Sequence, residues 1–126
     1  MAGERAREAA QRLQQKADEL SSQVLEKEQL VAQIRNESAQ EKRELTREAA
    51  TATNENPNTA FMAESVAEIN QHGKRVSSLE SEIVELKNES NRLSDESRML
   101  IGLADAVEAA EGQANDAAAR ALTEMP

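Results

Sequence analysis

The chain has 126 residues, with 24 acidic and 15 basic side chains and a formal net charge of −9. Ala, Glu, Leu, Arg and Lys make up just over half of it, a composition typical of long helices, and the only aromatic residue is one Phe. A compact core without aromatic side chains lacks the residues that bury the most area each. We therefore expect helices that bury a thin apolar seam rather than a globular core.

The negative charge argues against nucleic acid and bare membrane as partners, because phosphate groups and anionic lipid headgroups would be repelled. The charge is uneven: residues 1–53 carry 9 basic and 10 acidic groups, and residues 54–126 carry 6 and 14. There is no Cys, which excludes disulfides. The N-terminal residues lack the apolar stretch of a signal peptide, and no run is long and apolar enough for a membrane span. We expect an intracellular protein, either cytoplasmic or associated with the cytoskeleton.

Apolar residues in the first part of the chain recur at steps of three and four, the spacing of a heptad whose positions are labelled a to g. With a at residue 3, the a and d positions form a seam. Its large members are Leu13, Leu20, Val24, Val31 and Ile34. Neither Gly nor Pro interrupts residues 4–53. This pattern predicts a first coiled-coil helix over 4–53, about 75 Å long.

A predicted break covers residues 54–59, where Pro57 lies among Asn and Thr residues that favour turns and helix caps. The heptad then resumes with a at residue 62 and predicts a second coiled-coil helix over 60–101. Its seam resembles a leucine zipper from 79 to 100 and contains Val76, Leu79, Ile83, Leu86, Leu93 and Leu100. Residues 102–126 are rich in Ala, so we expect a weakly helical tail that buries little.

Two all-α arrangements fit this pattern. In the first, the chain folds back at Pro57 into an antiparallel helical hairpin. In the second, two chains form a parallel dimeric rod that is kinked at Pro57. The hairpin is favoured because the two halves are similar in length, and because it sets the strongly acidic half against a nearly neutral one.

The register of an antiparallel hairpin can be expressed as the sum of the numbers of facing residues. The heptads allow a sum of 117 or of 110, one heptad apart. The sum of 117 is favoured because it brings oppositely charged residues together on the flanks of the seam, including Arg35 with Glu80 and Glu28 with Lys87.

Several apolar residues fall outside the seam and are candidate contacts for a partner. Leu25 and Val84 are at b positions, and Leu30 is at a g position. They widen the apolar stripe, which indicates that hairpins pair into a four-helix arrangement or bind another protein. Phe61 and Met62 lie at the predicted turn, where they either close the end of the coil or anchor a partner.

The sequence predicts no catalytic, cofactor-binding or metal-binding residues. His72 is the only His, there is no Cys to join it at a metal, and a polar residue tolerated in the seam is the expected role. No nucleophile–base pair, Gly-rich phosphate loop or paired-carboxylate cleft is apparent. We therefore expect neither an enzyme nor a protein that binds a cofactor or a small-molecule substrate.

The heptads predict a structural coiled-coil segment that oligomerises, as a homodimer or higher assembly, within a larger intracellular scaffold. The expected partner is a second copy of the chain, another helical protein, or both. The alternative function is a helical-hairpin binding module, an adaptor or chaperone-like protein that grips a partner helix. We also expect the chain to be a piece of a longer protein.

The narrow seam predicts that folding and association are linked. The midpoint of thermal unfolding, followed by circular dichroism, should therefore rise with protein concentration. A midpoint that is independent of concentration would show that a single chain folds alone.

Overall fold

The computed structural model describes residues 2–51 and 59–124, and all of them are helical. Helix α1 spans Ala2–Thr51 and helix α2 spans Thr59–Glu124. The two long helices pack against each other, as they do in a helical hairpin. The expected break at Pro57 lies outside the described residues.

Helix α2 extends through most of the Ala-rich region, residues 102–126, that was expected to form a weakly helical tail. Gly73, Gly102 and Gly112 all lie within it, although each Gly costs a helix about 1 kcal/mol relative to Ala. Ala has the highest helix propensity, and the many Ala residues after 103 offset that cost. The side chains of residues 112–124 are all exposed, so this end of α2 is helical without being packed.

Burial follows the heptad along both helices. Every residue at an a or d position is buried or half-buried, from Gly3 to Glu48 in α1 and from Met62 to Glu111 in α2. Most residues at the other five positions are exposed. A stripe with this spacing lies along one side of a helix, so each helix buries a single narrow face.

Contacts divide the chain into two compact units, and both helices contribute to each. The terminal unit combines Met1–Ser21 with Asn88–Pro126, and the central unit is Ser22–Lys87.

The terminal unit is packed with very small side chains at its a positions. Ala10, Ala17 and Ala104 are at most 1% exposed. Facing Ala10 and Ala17 are two buried serines, which donate hydrogen bonds to the backbone: Ser97 Oγ to the Ala10 carbonyl at 2.8 Å, and Ser90 Oγ to the Ala17 carbonyl at 2.9 Å. A short hydroxyl reaches the backbone of another helix only when the two helices are close together. Larger side chains at these positions would hold them apart.

The central unit is packed with larger, mostly β-branched residues. Its buried cluster consists of Val24, Val31, Ile34, Leu79 and Ile83, with Leu30, Val76 and Leu86 half-buried against it. Burying one such aliphatic side chain stabilises a protein by about 1.5–3 kcal/mol. This unit therefore depends on apolar burial, whereas the terminal unit depends on close backbone approach and buried hydrogen bonds.

The helices run antiparallel within each unit, but the register differs from the expected sum of 117. The residue numbers add to 107 for the hydrogen-bonded pair Ala17 and Ser90, which both occupy a positions. They add to 113 for Glu41 and His72, which both occupy d positions. In a register with a sum of 110, an a residue faces a d residue whose number adds to 110. Its a–a contacts then have a residue sum three lower, 107, and its d–d contacts a residue sum three higher, 113. The two observed pairs therefore belong to the register with a sum of 110.

The physical reason is that packing outweighs the flanking ion pairs on which the sum of 117 was based. The sum of 110 sets small a residues of one helix opposite small a residues of the other, and it allows the buried serine hydrogen bonds. A buried hydrogen bond contributes about 1 kcal/mol, and an exposed ion pair often only a few tenths. The ion pairs Arg35–Glu80 and Glu28–Lys87 are nevertheless present, because long side chains reach across the shift.

The close approach in the terminal unit predicts that a larger residue at Ala17 is harmful. Ala17→Leu should lower the free energy of unfolding by about 1–3 kcal/mol, because the added carbons would force the helices apart. The control is Ala110→Leu, at an exposed position of the same unit, which should change stability by less than about 0.5 kcal/mol. Urea unfolding followed by circular dichroism measures both. Equal effects would contradict the close packing.

Candidate association surface

The residues predicted to form the seam lie on the face where the helices meet. Those that are buried are Val24, Val31, Ile34, Leu79, Ile83 and Leu93. Those that are half-buried are Leu13, Leu20, Val76, Leu86 and Leu100. The seam residues of the central unit belong to its apolar cluster or pack against it.

Ion pairs connect the helices on both flanks of the central cluster. On one flank Lys87 Nζ lies 3.0 Å from Glu28 Oε1, and Arg35 pairs with Glu80. These four residues occupy e positions, which lie beside a. On the other flank Lys27, at a d position, extends its amine out of the seam to within 2.9 Å of Glu82 Oε2. Its methylene stem can stay in the seam while its charge remains at the surface, which explains how a Lys is accommodated there.

An open groove of about 450 Å³ lies on the flank that carries the two e-position ion pairs. Val31, Ala32, Ile83 and Val84 are the apolar residues of its lining, and the charged ones include Glu28, Arg35 and Glu80. Val84 is 55% exposed. Leu25, one heptad before Ala32 and 57% exposed, continues the same apolar ridge. An apolar ridge beside a shallow groove is a surface to which another helix can bind.

The other residues predicted to contact a partner differ in their surroundings. Leu30 is half-buried and packs against the central cluster, so part of its apolar surface is already covered. Phe61 is 43% exposed, and its neighbour Met62, at an a position, is half-buried. Leu25 and Val84 are therefore the two candidates that leave more than half of the side chain accessible.

His72 lies in the seam of the central unit, where its imidazole meets the carboxylate of Glu41. His72 Nε2 lies 3.2 Å from Glu41 Oε1, and both side chains are about one-quarter exposed. The second oxygen, Glu41 Oε2, is buried and has no hydrogen-bond partner among the described residues. Both residues occupy d positions, and they face each other only in the register with a sum of 110. The register expected from the sequence, with a sum of 117, does not bring them together.

An ionic cluster connects the two helices in the terminal unit. Arg7 donates to both oxygens of Glu108, at 3.0 and 2.8 Å, and also to Asp105 at 2.6 Å. The hydrogen bond from Arg7 holds the pKa of Glu108 below its usual value, and the same contacts raise the pKa of Arg7. A Cβ added at Gly3 would lie 2.5 Å from Glu108 Oε1, so the missing side chain of Gly3 leaves room for this carboxylate.

A search of the described residues for metal-binding clusters found no group of three or more His, Asp or Glu side chains that could hold an ion. Neither described helix contains a segment long and apolar enough to cross a membrane. Comparison of the chain with protein-family models, with curated proteins and with solved structures finds no match.

The lowered pKa of Glu108 predicts a loss of stability in acid. The pair with Arg7 stabilises the folded chain at pH values above the unfolded pKa of Glu108, and this contribution disappears as the pH falls through the lower folded pKa. Glu108→Gln should therefore lower the unfolding midpoint at neutral pH, and the difference from wild type should shrink on acidification. Glu124→Gln, at the exposed end of α2, is the control. A difference that stays constant with pH would exclude this origin.

Proposed function

We propose that the chain is a structural coiled-coil segment that oligomerises and acts as a non-catalytic scaffold within a larger assembly. The observation that supports this proposal best is the repeat of burial at a and d positions along both helices. In coiled coils, the residues of such a repeated seam determine which helices pair and in which register. The proposed role of this seam is to hold helices in a defined arrangement, not to catalyse a reaction.

The distribution of polar residues in the seam supports specific pairing. Ser90 and Ser97 bond to backbone carbonyls, and Glu41 meets His72. Polar groups inside a coiled coil lower its stability but favour the register in which they are satisfied. A scaffold needs one arrangement more than it needs maximal stability.

The exposed ridge of Leu25 and Val84 supports a second candidate function. An adaptor or chaperone-like hairpin would keep such a ridge free in the isolated chain and cover it with a partner helix. The two functions differ in one property. A scaffold associates with itself, whereas the binding module stays a single chain until its partner is present.

Crosslinking tests the hairpin and its association together. In the double variant Glu28→Cys/Lys87→Cys, a short thiol crosslinker should join the two positions within one chain, because their charged atoms lie 3.0 Å apart. The chain has no other Cys, so there is no background. The control is Glu28→Cys/Lys74→Cys, because Lys74 lies about 20 Å further along α2 and should not react.

The mass and helicity of the linked product distinguish the outcomes. The scaffold proposal expects a linked single chain that remains helical and still self-associates in light scattering. A linked product with the mass of two chains would show that the helices exchange between copies. A linked, helical product that remains a single chain at every concentration would favour the binding module and contradict the scaffold.

A further inference from the structure

The two sides of the central unit differ sharply in charge. The first, which we call the groove side, consists of the b and e positions beside the groove, and the second, the acidic side, consists of the c and g positions. The charged residues of the groove side are Glu28, Arg35, Lys42, Glu80 and Lys87. Those of the acidic side are Glu26, Glu37, Glu44, Arg47, Glu64, Glu68, Arg75, Glu82 and Glu85. The groove side is thus nearly neutral, while the acidic side carries seven carboxylates against two cations.

Apolar exposure is concentrated on the groove side. Its b positions carry no charge among the described residues of this unit, and they include Leu25, Ala32 and Val84. The b positions of a two-stranded coil normally face solvent and are polar. Leu25 and Val84 are more than half exposed, so this side leaves apolar surface uncovered. A surface that is both apolar and nearly neutral is suited to protein association.

The charges that flank the groove are arranged so that this side complements itself. Along α1, Glu28 precedes Arg35 by one heptad, and along α2, Glu80 precedes Lys87 by one heptad. Because the helices are antiparallel, each Glu already faces a cation across the groove. The four charges therefore alternate in sign around the groove, with Val31 and Ile83 between them.

A second copy placed over the groove meets opposite charges in either two-fold orientation. If the two-fold axis runs along the helices, α1 faces α2 of the other copy, so that Glu28 meets Lys87 and Arg35 meets Glu80. If the axis crosses the helices at the groove, each helix faces its own copy, so that Glu28 meets Arg35 and Glu80 meets Lys87. Both orientations cover Leu25 and Val84 of each copy with the groove side of the other copy. The acidic sides would instead bring like charges together.

We propose that a second copy of the chain docks on the groove side of the central unit and forms a two-fold arrangement of four helices. This inference rests on the proposed scaffold function and identifies the surface through which it operates. The uncovered apolar ridge supplies the area to be buried, and the alternating charges orient the copies. The acidic side stays in solvent, because its carboxylates would repel the acidic side of another copy.

The test compares two variants that add the same charge to equally exposed leucines. Leu25→Glu places a carboxylate on the groove side, and Leu103→Glu is the control at a g position of the terminal unit; both leucines are 57% exposed. The wild-type chain and Leu103→Glu should have the mass of two chains by light scattering and sedimentation. Leu25→Glu should raise the dissociation constant about tenfold or more, because it would bury a charge without a partner.

A second variant separates burial from net charge. Val84→Lys carries the opposite charge and should weaken association to a similar extent, which simple repulsion between acidic chains would not explain. Circular dichroism should show both variants to be as helical as wild type, since these side chains already face solvent. If Leu25→Glu unfolds the chain, Val84→Lys alone provides the decisive measurement.

Three outcomes would overturn the inference, and they differ in what they imply. A wild-type chain that stays single at all concentrations would exclude both this interface and the scaffold function. A two-chain mass that persists in Leu25→Glu and Val84→Lys would exclude only the groove side, because association would then use another surface. A mass that grows beyond two chains with concentration would indicate open-ended contact between unlike surfaces and contradict the two-fold arrangement.

Discussion

The close approach of two helix backbones in the terminal unit is the constraint on which the register of its helices depends. The Ser90 hydroxyl reaches the Ala17 carbonyl, and Ser97 does the same for Ala10 one heptad away. Each serine has only one hydroxyl hydrogen, so Ser21, which lies 3.0 Å from Ser90, must be the donor in that contact. A shift of one heptad to the sum of 117 would set Ser97 opposite Ala17, but it would set Ser90 opposite the larger Val24, which would hold the two backbones further apart. Satisfaction of the buried serines and the close packing of alanines therefore select the same register.

The central unit has the same antiparallel direction but a different source of stability. Its β-branched cluster buries apolar area, while the polar members of its seam are each accommodated in a different way. Lys27 extends its amine to Glu82 at the surface, whereas Glu41 and His72 meet within the seam. Glu41 keeps one buried oxygen that has no hydrogen-bond partner among the residues the structure describes, so this pair stabilises the seam less than a fully hydrogen-bonded pair would. Uniform apolar packing would be more stable and less selective for one register.

The difference in charge between the two sides of the central unit connects this packing to the proposed association. Helix pairing brings oppositely charged e residues together on one flank, which neutralises that side and leaves Leu25 and Val84 exposed beside it. The same pairing gathers Glu residues at c and g positions on the other flank. A neutral apolar side and a strongly acidic side follow from a single register. One side is therefore suited to contact a second chain and the other to remain in solvent.

The sequence alone determined that the chain forms two long helices and which residues of each helix become buried, because heptad spacing depends only on the local geometry of a helix. It also identified Leu25 and Val84 as apolar residues outside the seam. Only the tertiary structure decided the register, and with it the serine hydrogen bonds, the Glu41–His72 pair and the position of the groove. The physical reason is that sliding one helix by seven residues leaves every a and d position in the seam. The periodicity is then identical for both registers, and only the sizes and hydrogen bonds of the residues that meet across the helices can distinguish them.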